Sequence, residues 1–456
     1  MSKPARTLGI WPLALINIIA IDNLRALTYG AEVGLGLVTY YVIATLFFFV
    51  PVALISTVFA TYFPEKGGIY VWVSRTVGKR AGLVVIWIQW LYNIVWYPTQ
   101  LTFVASTFIS LFTPLNAQKP HLLIPLMLIM FWVFTLINSL GMRASSIISA
   151  IGAVLGTLLP IVLLIICGLV FYNTPPYEYA MTVSWQALIP SFNPGSMSYL
   201  TGMLFGLIGI EIGAYHADEV INPRRTFPRA ILLSGSIIFA SMVLASLAIA
   251  LIVPTKDLDI VTGILQAFTM VATHPALQAL SPVIVLLVVI GGASTVATWI
   301  IGPSKGLMVA AQEGLAPALF KKTNSHGAPV GVLLVQALIF TCLTCLYVLL
   351  PVRVIYMLLS AITTQLALIV YIIMFIGFIT HYKTMKNSTC YRIPGGKLMA
   401  MCVSLSGLII SVLGVLVGFF MPDNIADFSH STYSVYVLLG SLACLFPTLF
   451  YVRKNG

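Results

Sequence analysis

Long apolar stretches follow one another along almost the whole chain, separated by short polar loops. Roughly twelve of these stretches are long enough for a helix to cross about 30 Å of hydrocarbon at about 1.5 Å per residue. Strict alternation of apolar and polar residues is absent, so helices rather than a β-barrel are predicted to satisfy the backbone. The predicted spans lie near residues 10–32, 35–60, 82–112, 121–140, 146–172, 198–220, 228–253, 281–311, 330–350, 354–381, 400–421 and 432–452.

Two of the predicted spans carry charged residues at depths where a lipid-spanning helix usually has none. The first span holds Asp22, Asn23, Leu24 and Arg25 in its middle, and the sixth holds Glu211. Glycines surround this glutamate at Gly202, Gly206, Gly209 and Gly213. A charge at the centre of a bilayer costs roughly 2.5–3.5 kcal/mol on insertion scales. Interrupted segments at matching places in the two halves of a chain predict a transporter with a binding site near the midplane.

The positions of these interruptions, in the first and sixth spans, predict a repeat of five helices that is used twice. Because five is an odd number, the second copy starts from the opposite side of the membrane and is inverted. The chain is therefore predicted to be one transmembrane domain, 1–456. Its first repeat lies at about 8–172, its second at about 198–381, and two extra helices follow at about 400–452.

The composition supports this membrane class. Hydrophobic residues make up 60% of the chain and charged residues 8%, whereas soluble domains carry about 25% charged residues. No long polar block interrupts the chain, so a separate soluble domain is not predicted. The sequence also lacks a nucleotide-binding G-x-x-x-x-G-K-[ST] block and His/Cys clusters with metal-ligand spacing, so no cofactor, no metal and no enzymatic activity are predicted.

The net charge of +11 reflects membrane orientation rather than nucleic-acid binding. The basic residues lie mostly in every second loop, which is the positive-inside pattern of membrane proteins. These loops carry Lys66, Arg75, Lys79, Arg80, Arg143, Arg224, Arg225, Arg229, Lys321, Lys322, Lys383, Lys386, Arg392 and Lys397. The pattern predicts a multi-pass protein of the bacterial inner or plasma membrane with both termini in the cytosol. No nucleic-acid partner is predicted.

Three blocks of sequence carry a resemblance to a known transporter superfamily. They are Gly209-x-Glu211 with Glu219-x-x-Asn222-Pro223-x-Arg225, then Trp299-x-x-Gly302-Pro303-Ser304-Lys305-Gly306, and Ile393-Pro394-Gly395-Gly396-Lys397. Together they resemble the amino acid/polyamine/organocation (APC) transporters and, within them, the bacterial glutamate/GABA antiporter branch. The resemblance covers nearly the whole chain. It implies an all-α polytopic membrane protein with about 12 transmembrane helices, a LeuT-like 5+5 inverted repeat, and broken helices 1 and 6.

The chain departs from that branch in two places. The glutamate/GABA antiporters carry a Y-E-Y-P stretch at the break of the first helix, where this chain has Asp22-Asn23-Leu24-Arg25. The identity of the substrate is therefore not given by the resemblance. Those antiporters also continue into a C-terminal plug that closes the cytosolic mouth. Because this sequence stops at Gly456, no such plug is expected.

Asp22 and Arg25 have two interpretations. Their i, i+3 spacing places them on one helix face, where they could form a salt bridge with each other. Alternatively, an unwound turn at Ile21, Asp22 and Asn23 could bind the substrate, with Arg25 as a bidentate partner for its carboxylate and Asp22 facing its ammonium. Both arrangements could alternate, with the substrate replacing the internal bridge.

Glu211 is predicted to bind substrate or to carry a proton, as the resemblance implies for this position. A carboxyl group in an apolar bundle can hold a proton near neutral pH; the competing interpretation is a permanent hydrogen bond to a neighbour. The glycines near it fit close helix packing. Gly206 and Gly209 also fit a helix break that exposes carbonyl groups to a substrate ammonium.

Aromatic and hydroxyl residues complete the predicted site. Tyr97 and Trp299 could hold an aliphatic chain or an ammonium group by cation–π contact, although packing explains most aromatic residues in such a chain. Ser294, Thr295 and Thr298 could help to bind sodium, but hydroxyls that bond back to their own helix are the more ordinary case. Lys305, His216 and the Cys342/Cys345 pair are interpreted as interfacial or packing residues.

The combined prediction is a secondary active amino acid transporter, an antiporter that exchanges an amino acid for another amino acid or its decarboxylated amine. The alternative is a proton- or sodium-coupled amino acid symporter of the same fold. A sensor that binds a ligand without moving it is a further alternative. The resemblance implies that helices 1, 2, 6 and 7 rock against helices 3, 4, 8 and 9. The predicted partners are a small-molecule amino acid and membrane lipid, and a homodimer stays open as the assembly.

Overall fold

The structure is a computed structural model that describes residues 8–65, 67–140, 149–173, 184–190, 193–216, 220–271, 275–385, 390–422 and 429–455. Within these ranges most residues are helical. The β-structure in the described residues is one isolated parallel bridge between Leu8 and Val220. The predicted all-α class is therefore confirmed. Lys66, Arg143, Glu219 and Lys386 of the sequence analysis, and the side chain of His216, lie outside the described residues.

The helices follow the predicted spans closely. The α-helices are Ile10–Ile21, Leu24–Ala31, Leu37–Ala44, Val50–Tyr62, Ile69–Thr76, Lys79–Ser110, Pro120–Ser139, Leu159–Asn173, Pro194–Gly206, Pro223–Ile252, Gly263–Val271, Pro275–Gln312, Val330–Thr344, Val352–His381, Gly396–Val417 and His430–Asn455. The π-helical segments are Thr45–Phe49 in the second span and Gly152–Leu158 in the fifth. Short 3₁₀ segments are Gly34–Gly36, Pro114–Asn116, Gln186–Leu188, Ile210–His216, Thr255–Asp257, Ala318–Lys321 and Cys345–Val348.

The number of spans agrees with the sequence pattern. Ten helices of the described chain are long and apolar enough to cross a membrane, or eleven when the bent pair at the N-terminus counts as one span. Helix Lys79–Ser110 has 32 residues and is also long enough, at about 1.5 Å per residue. It contains buried polar residues such as Gln89, Asn93 and Gln100, and it is the third of the predicted spans.

The first span breaks where its sequence changes from apolar to polar. Helix Ile10–Ile21 ends at Asp22, and the next helix begins at Leu24, with a bend of 52° between the two. Asn23 has an extended backbone, and its side chain accepts a hydrogen bond of 3.1 Å from the backbone N–H of Arg25. Short polar side chains compete with the backbone in this way and favour helix caps over helix interiors. The predicted break in this span is confirmed.

The sixth span is interrupted as well. Helix Pro194–Gly206 gives way to an irregular stretch, and a 3₁₀ segment, Ile210–His216, follows it. Gly209, in the irregular stretch, has a φ of +126°, a conformation that residues with a side chain rarely adopt. The glycine therefore permits the turn that separates the two helical parts.

The two broken spans pack against each other in opposite directions. Helix Ile10–Ile21 contacts the 3₁₀ segment Ile210–His216, whereas helix Leu24–Ala31 contacts Pro194–Gly206. The first half of one span thus lies beside the second half of the other, as an inverted LeuT-like arrangement requires. The residue boundaries of the two repeats and of the single domain stay a prediction.

Six of the other spans form two groups around this pair. The second and seventh spans contact the broken helices, while the third, fourth, eighth and ninth spans contact one another. The fifth and eighth spans approach closely where Gly156 faces Gly291, since a Cβ atom built on Gly156 would lie 2.2 Å from the backbone nitrogen of Gly291. Small residues permit such close backbone approach between membrane helices.

Two short helices lie outside the spans that the sequence predicts. Helix Ile69–Thr76 packs on the third and tenth spans, and helix Gly263–Val271 packs on the seventh. Both are too short to cross a bilayer, since a transmembrane helix needs about 20 residues. Each contains buried apolar side chains and therefore packs firmly against these spans.

Candidate functional site

A small cavity lies between the two helix breaks. It is lined by residues of the first, third, sixth and eighth spans, namely Ala20, Ile21, Asn23, Arg25, Ala26, Tyr92, Asn93, Trp96, Phe205, Gly206, Ile208 and Trp299. Five of the residues predicted for the site line it: Ile21, Asn23, Arg25, Gly206 and Trp299. Four others, Asp22, Tyr97, Gly209 and Glu211, lie nearby but not on its wall.

Asn23 fixes the break of the first span to the helices behind it. Its side-chain amide donates a hydrogen bond of 2.9 Å to Oε1 of Gln100 in the third span. The amide of Gln100 in turn donates to the backbone carbonyl of Gly292 in the eighth span, at 3.4 Å. These hydrogen bonds join the break of the first span to the third and eighth spans. They hold Asn23 in a fixed position on the cavity wall.

Arg25 is buried, with 1% of its surface exposed. Its Nη1 donates a hydrogen bond of 3.0 Å to the hydroxyl of Ser360 in the tenth span. The guanidinium carbon lies 5.0 Å from the ring centre of Tyr356 and 5.5 Å from that of Phe205, within range of a cation–π contact. Nε has no hydrogen-bond partner. No carboxylate of the described chain forms an ion pair with this guanidinium.

Asp22 faces a different helix from Arg25. Its Oδ2 accepts a hydrogen bond of 2.6 Å from the hydroxyl of Ser241 in the seventh span, while Oδ1 is buried without a partner. The internal salt bridge that the i, i+3 spacing permits is therefore not formed in this structure. The break explains the difference, because the two residues no longer lie on one continuous helix.

A second cavity lies beside the central one and shares three lining residues with it. The second cavity is also lined by Arg25, Ala26 and Phe205, and it continues between the tenth span and the loop after the eleventh. Its other lining residues are Tyr29, Ser198, Thr201, Gly202, Met357, Ser360, Ala361, Thr364, Gly418, Phe420, Pro422 and Tyr433. Arg25 thus lines both cavities.

Trp299 connects the two breaks. Its indole Nε1 donates a hydrogen bond of 2.9 Å to the backbone carbonyl of Ala20, in the last turn before the break of the first span. The same ring lies against Gly209, where a Cβ atom would approach Cζ2 of Trp299 to 2.8 Å. The rings of Tyr92 and Trp96 surround it, with centroid distances of 6.4 Å and 6.1 Å. One aromatic side chain therefore holds both interrupted spans at the cavity.

Glu211 lies in a separate buried network. Its Oε2 accepts a hydrogen bond of 2.6 Å from the hydroxyl of Tyr371, and its Oε1 accepts one of 3.3 Å from the amide of Gln89. Gln89 also accepts a hydrogen bond from the hydroxyl of Tyr215 and donates one of 3.3 Å to the hydroxyl of Tyr92. Because Tyr92 lines the cavity, the network links the carboxyl group of Glu211 to the site.

The sequence analysis did not identify Gln89 and Tyr371 as members of the site. A polar residue in the middle of an apolar span is a signal that could have singled out Gln89, since such residues in membranes are usually bonded to a partner. Tyr371 gives no such signal, because tyrosine is common in packed aromatic cores. Only the proximity of the tenth span to the sixth identifies it.

Tyr97, Thr295 and Thr298 do not line the central cavity and have neighbours elsewhere in the bundle. Tyr97 is fully buried, and its ring packs on Trp96 and Phe131 at centroid distances of 5.6 Å and 5.0 Å. Thr295 and Thr298 donate to backbone carbonyls four residues earlier. The hydroxyl of Thr298 also lies 2.6 Å from that of Ser149. Back-bonding within the helix therefore occurs at both threonines, as the more ordinary interpretation predicts.

Replacing Glu211 with glutamine is expected to flatten the pH dependence of transport. The amide of glutamine keeps an oxygen that can accept from Tyr371, but it cannot gain or lose a proton. The measurement is the rate of amino acid uptake into proteoliposomes at one acidic and one neutral pH, where the ratio of the two rates should move toward one. Glu211→Asp is the control, because it keeps an ionisable carboxyl group and should keep a pH dependence. An unchanged pH profile in Glu211→Gln would contradict the prediction that Glu211 carries a proton.

The fold and the cavity define the class of this protein. A helical membrane bundle in which two inverted, broken spans surround a buried cavity is the architecture of LeuT-like secondary transporters. The sequence profile of the amino acid permease family matches residues 16–443 of the chain. The chain therefore belongs to the amino acid permease family of the APC superfamily. Members of this family are transporters, not enzymes.

Individual relatives agree with this assignment. The chain is 40% identical over 459 residues to an uncharacterized transporter of Legionella pneumophila, covering 100% of this chain and 98% of the relative. It is 29% identical over 415 residues to a glutamate/gamma-aminobutyrate antiporter of Lactococcus lactis, with coverage of 89% and 82%. A protein of the same species, named as a probable agmatine/putrescine antiporter, is 26% identical over 375 residues, with coverage of 82% and 78%. The resemblance found in the sequence blocks is thus confirmed.

Proposed function

We propose that this transporter of the cell membrane is an amino acid antiporter, which exchanges an amino acid for another amino acid or for its decarboxylated amine. The observation that carries the proposal is the guanidinium of Arg25, which lines the cavity between the helix breaks without a carboxylate partner in the described chain. Two relatives named as antiporters, at 29% and 26% identity, support exchange as the mode of transport.

The carboxylate of the substrate binds Arg25 in this proposal. A buried charge is costly unless it is paired and hydrogen-bonded, and Ser360 supplies one of the hydrogen bonds that this guanidinium can make. A carboxylate in the cavity neutralises the charge and accepts hydrogen bonds from the fork of N–H groups. This geometry favours amino acids over amines that lack a carboxylate, and the exchanged amine binds without this contact.

The rest of the substrate occupies the space between the breaks and the aromatic rings. A helix end leaves carbonyl groups without intrahelical partners, and helix Pro194–Gly206 ends at the cavity. In this proposal the carbonyl of Gly206, the last residue of the helix and part of the cavity wall, accepts a hydrogen bond from the ammonium group of the substrate. The rings of Tyr92, Trp96 and Trp299 line the opposite wall and contact its aliphatic part.

Alternating access in this proposal is a rocking of the first, second, sixth and seventh spans against the third, fourth, eighth and ninth. The two groups are joined at the cavity by the hydrogen bond from Trp299 to Ala20 and by the one from Asn23 to Gln100. These bonds break when the groups separate. Substrate contacts that differ between the two states shift the balance between them.

Counterflow in proteoliposomes tests the proposal. Vesicles are loaded with unlabelled glutamate, γ-aminobutyrate, agmatine or putrescine, or left empty, and uptake of each labelled compound is measured at one acidic and one neutral pH. An antiporter takes up label only into vesicles that hold a substrate. Uptake into empty vesicles that follows an imposed proton or sodium gradient would instead indicate a symporter.

A proton-coupled symporter of the same fold is the second candidate function. The observation that favours it is the pair of buried carboxyl groups at the interrupted spans, Asp22 and Glu211, which are both 0% exposed. Ionisable residues within the membrane commonly form part of proton pathways. The gradient arm of the counterflow experiment distinguishes it from an obligate exchanger.

The orientation in the membrane is part of the proposal. Arg224 and Arg225 lie in the first turn of helix Pro223–Ile252, Lys321 and Lys322 lie at the end of the segment Ala318–Lys321, and Lys383 follows helix Val352–His381. The positive-inside rule places these basic ends of the spans in the cytosol. Both termini then lie in the cytosol too.

A homodimer is the assembly we propose to test, by measuring the mass of the purified protein in detergent.

A further inference from the structure

A groove that shares no lining residue with the transport cavity gathers three basic side chains, Lys383, Arg392 and Lys397. All three are exposed. The groove is also lined by Val58, Tyr62, Tyr382, Met385, Cys390, Tyr391, Ile393 and Gly396. The described residues of this lining include no carboxylate, so their summed charge is positive.

The groove lies where three membrane spans end. Val58 and Tyr62 belong to the last turns of helix Val50–Tyr62, and Lys383 follows helix Val352–His381. Lys397 lies in the first turn of helix Gly396–Val417. The ends of spans meet the boundary between hydrocarbon and water, where lipid headgroups are found. The positive-inside rule assigns this end of the bundle to the cytosolic side.

The wall of the groove is held in place by hydrogen bonds to the second span. The backbone N–H of Tyr391 donates to the hydroxyl of Thr61 at 3.1 Å, and the thiol of Cys390 lies 3.4 Å from the carbonyl of the same threonine. Ile393, with 3% of its surface exposed, anchors the segment in the protein. The basic side chains therefore extend from a fixed frame.

We propose that this groove binds the phosphate headgroup of an anionic phospholipid of the cytosolic leaflet. Lys and Arg side chains at the edge of the bilayer attract anionic headgroups, and basic pockets between membrane helices on the cytosolic side bind them. Apolar side chains such as Val58 and Met385 line the same groove and can contact the first carbon atoms of the acyl chains. Tyr62 and Tyr382 supply the amphipathic rings that are enriched at this level. A free phosphate ion has no apolar part that could contact the apolar lining of the groove, whereas a phospholipid has acyl chains.

Native mass spectrometry of the full-length protein in detergent tests this proposal with phosphatidylglycerol as the probe. The triple variant Lys383→Gln/Arg392→Gln/Lys397→Gln should bind phosphatidylglycerol about a hundred-fold more weakly, at about five-fold for each basic residue. The matched control is Lys79→Gln/Lys321→Gln/Lys322→Gln, which removes the same charge from exposed sites outside the groove. This control should keep the affinity of the original chain.

Two further arms identify the ligand and exclude misfolding. The charge-preserving triple variant Lys383→Arg/Arg392→Lys/Lys397→Arg should bind phosphatidylglycerol within about three-fold of the original chain, because all three cations remain. Excess inorganic phosphate should not displace the lipid, and phosphatidylcholine should bind far more weakly. The proposal is overturned if the glutamine variant and its control lose affinity equally. Displacement by inorganic phosphate, or equal binding of phosphatidylcholine, also overturns it.

Discussion

Replacing Arg25 with alanine is expected to weaken the binding of carboxylate-bearing substrates by at least about a hundred-fold, since breaking a buried ion pair costs roughly 3–5 kcal/mol. The guanidinium lines the central cavity, and its hydrogen bond within the described chain goes to Ser360. Without it, the substrate carboxylate would be buried with no cation beside it. The measurement is the dissociation constant of a labelled amino acid, determined on the purified transporter.

Two comparisons make the Arg25 result specific. Ser360→Ala removes one neutral partner of the guanidinium. Because a hydrogen bond to a charged group contributes only about 1.5–3 kcal/mol, this variant should lose less affinity for the substrate than Arg25→Ala does. Amines without a carboxylate should not lose affinity in Arg25→Ala, because they make no contact with the guanidinium and the variant removes a positive charge that repels them. Equal losses for amino acids and amines would show that the variant damages the fold rather than carboxylate recognition. Unchanged affinity for amino acids would remove Arg25 from the site.

Gly209→Ala is expected to abolish exchange while leaving the protein in the membrane. The backbone φ of +126° at this position is strained for any residue with a Cβ atom, at a cost of about 1–3 kcal/mol. The new methyl group would also lie 2.8 Å from Cζ2 of Trp299, and 3.3 Å from Cγ1 of Ile21. Since Trp299 and Ile21 both line the cavity, their displacement distorts the site. The measurement is counterflow, together with the thermal stability of the purified protein.

Gly302→Ala is the matched control for this prediction. Gly302 lies in the same helix as Trp299, and a Cβ atom there would come no closer than 3.7 Å to a neighbouring atom, which is ordinary van der Waals contact. Its exchange rate should stay near that of the original chain. The double variant Gly209→Ala/Trp299→Phe relieves the contact with the indole but not the backbone strain, so partial recovery of stability is expected. Full exchange activity in Gly209→Ala would show that the turn tolerates a side chain.

The sequence predicted the transmembrane spans well, because a helix in lipid must be apolar over its whole length. The first span, predicted near 10–32, is the bent pair Ile10–Ile21 and Leu24–Ala31. The same rule marked both interruptions, since Asp22, Arg25 and Glu211 are costly at that depth. The short helices Ile69–Thr76 and Gly263–Val271 were missed because they do not cross the membrane and leave no long apolar run.

The sequence could not predict the hydrogen-bond partners of the charged residues. The i, i+3 spacing of Asp22 and Arg25 permitted a mutual salt bridge as one of two interpretations, but the broken helix turns one residue toward Ser241 and the other toward Ser360. Likewise, Glu211 meets Gln89 and Tyr371, which are 122 and 160 residues away in the chain. Spacing along a helix determines contacts only while the helix is continuous.

The sequence by itself determined which segments enter the membrane and where two of them cannot continue as helices, because hydrophobic burial and backbone hydrogen bonding act on each segment separately. Only the tertiary structure decided that Trp299 joins the two breaks, that Arg25 lines the cavity and that Glu211 lies behind it. Those relations depend on how the spans pack against one another. Side chains from distant parts of the chain meet there, and no local pattern encodes their distances.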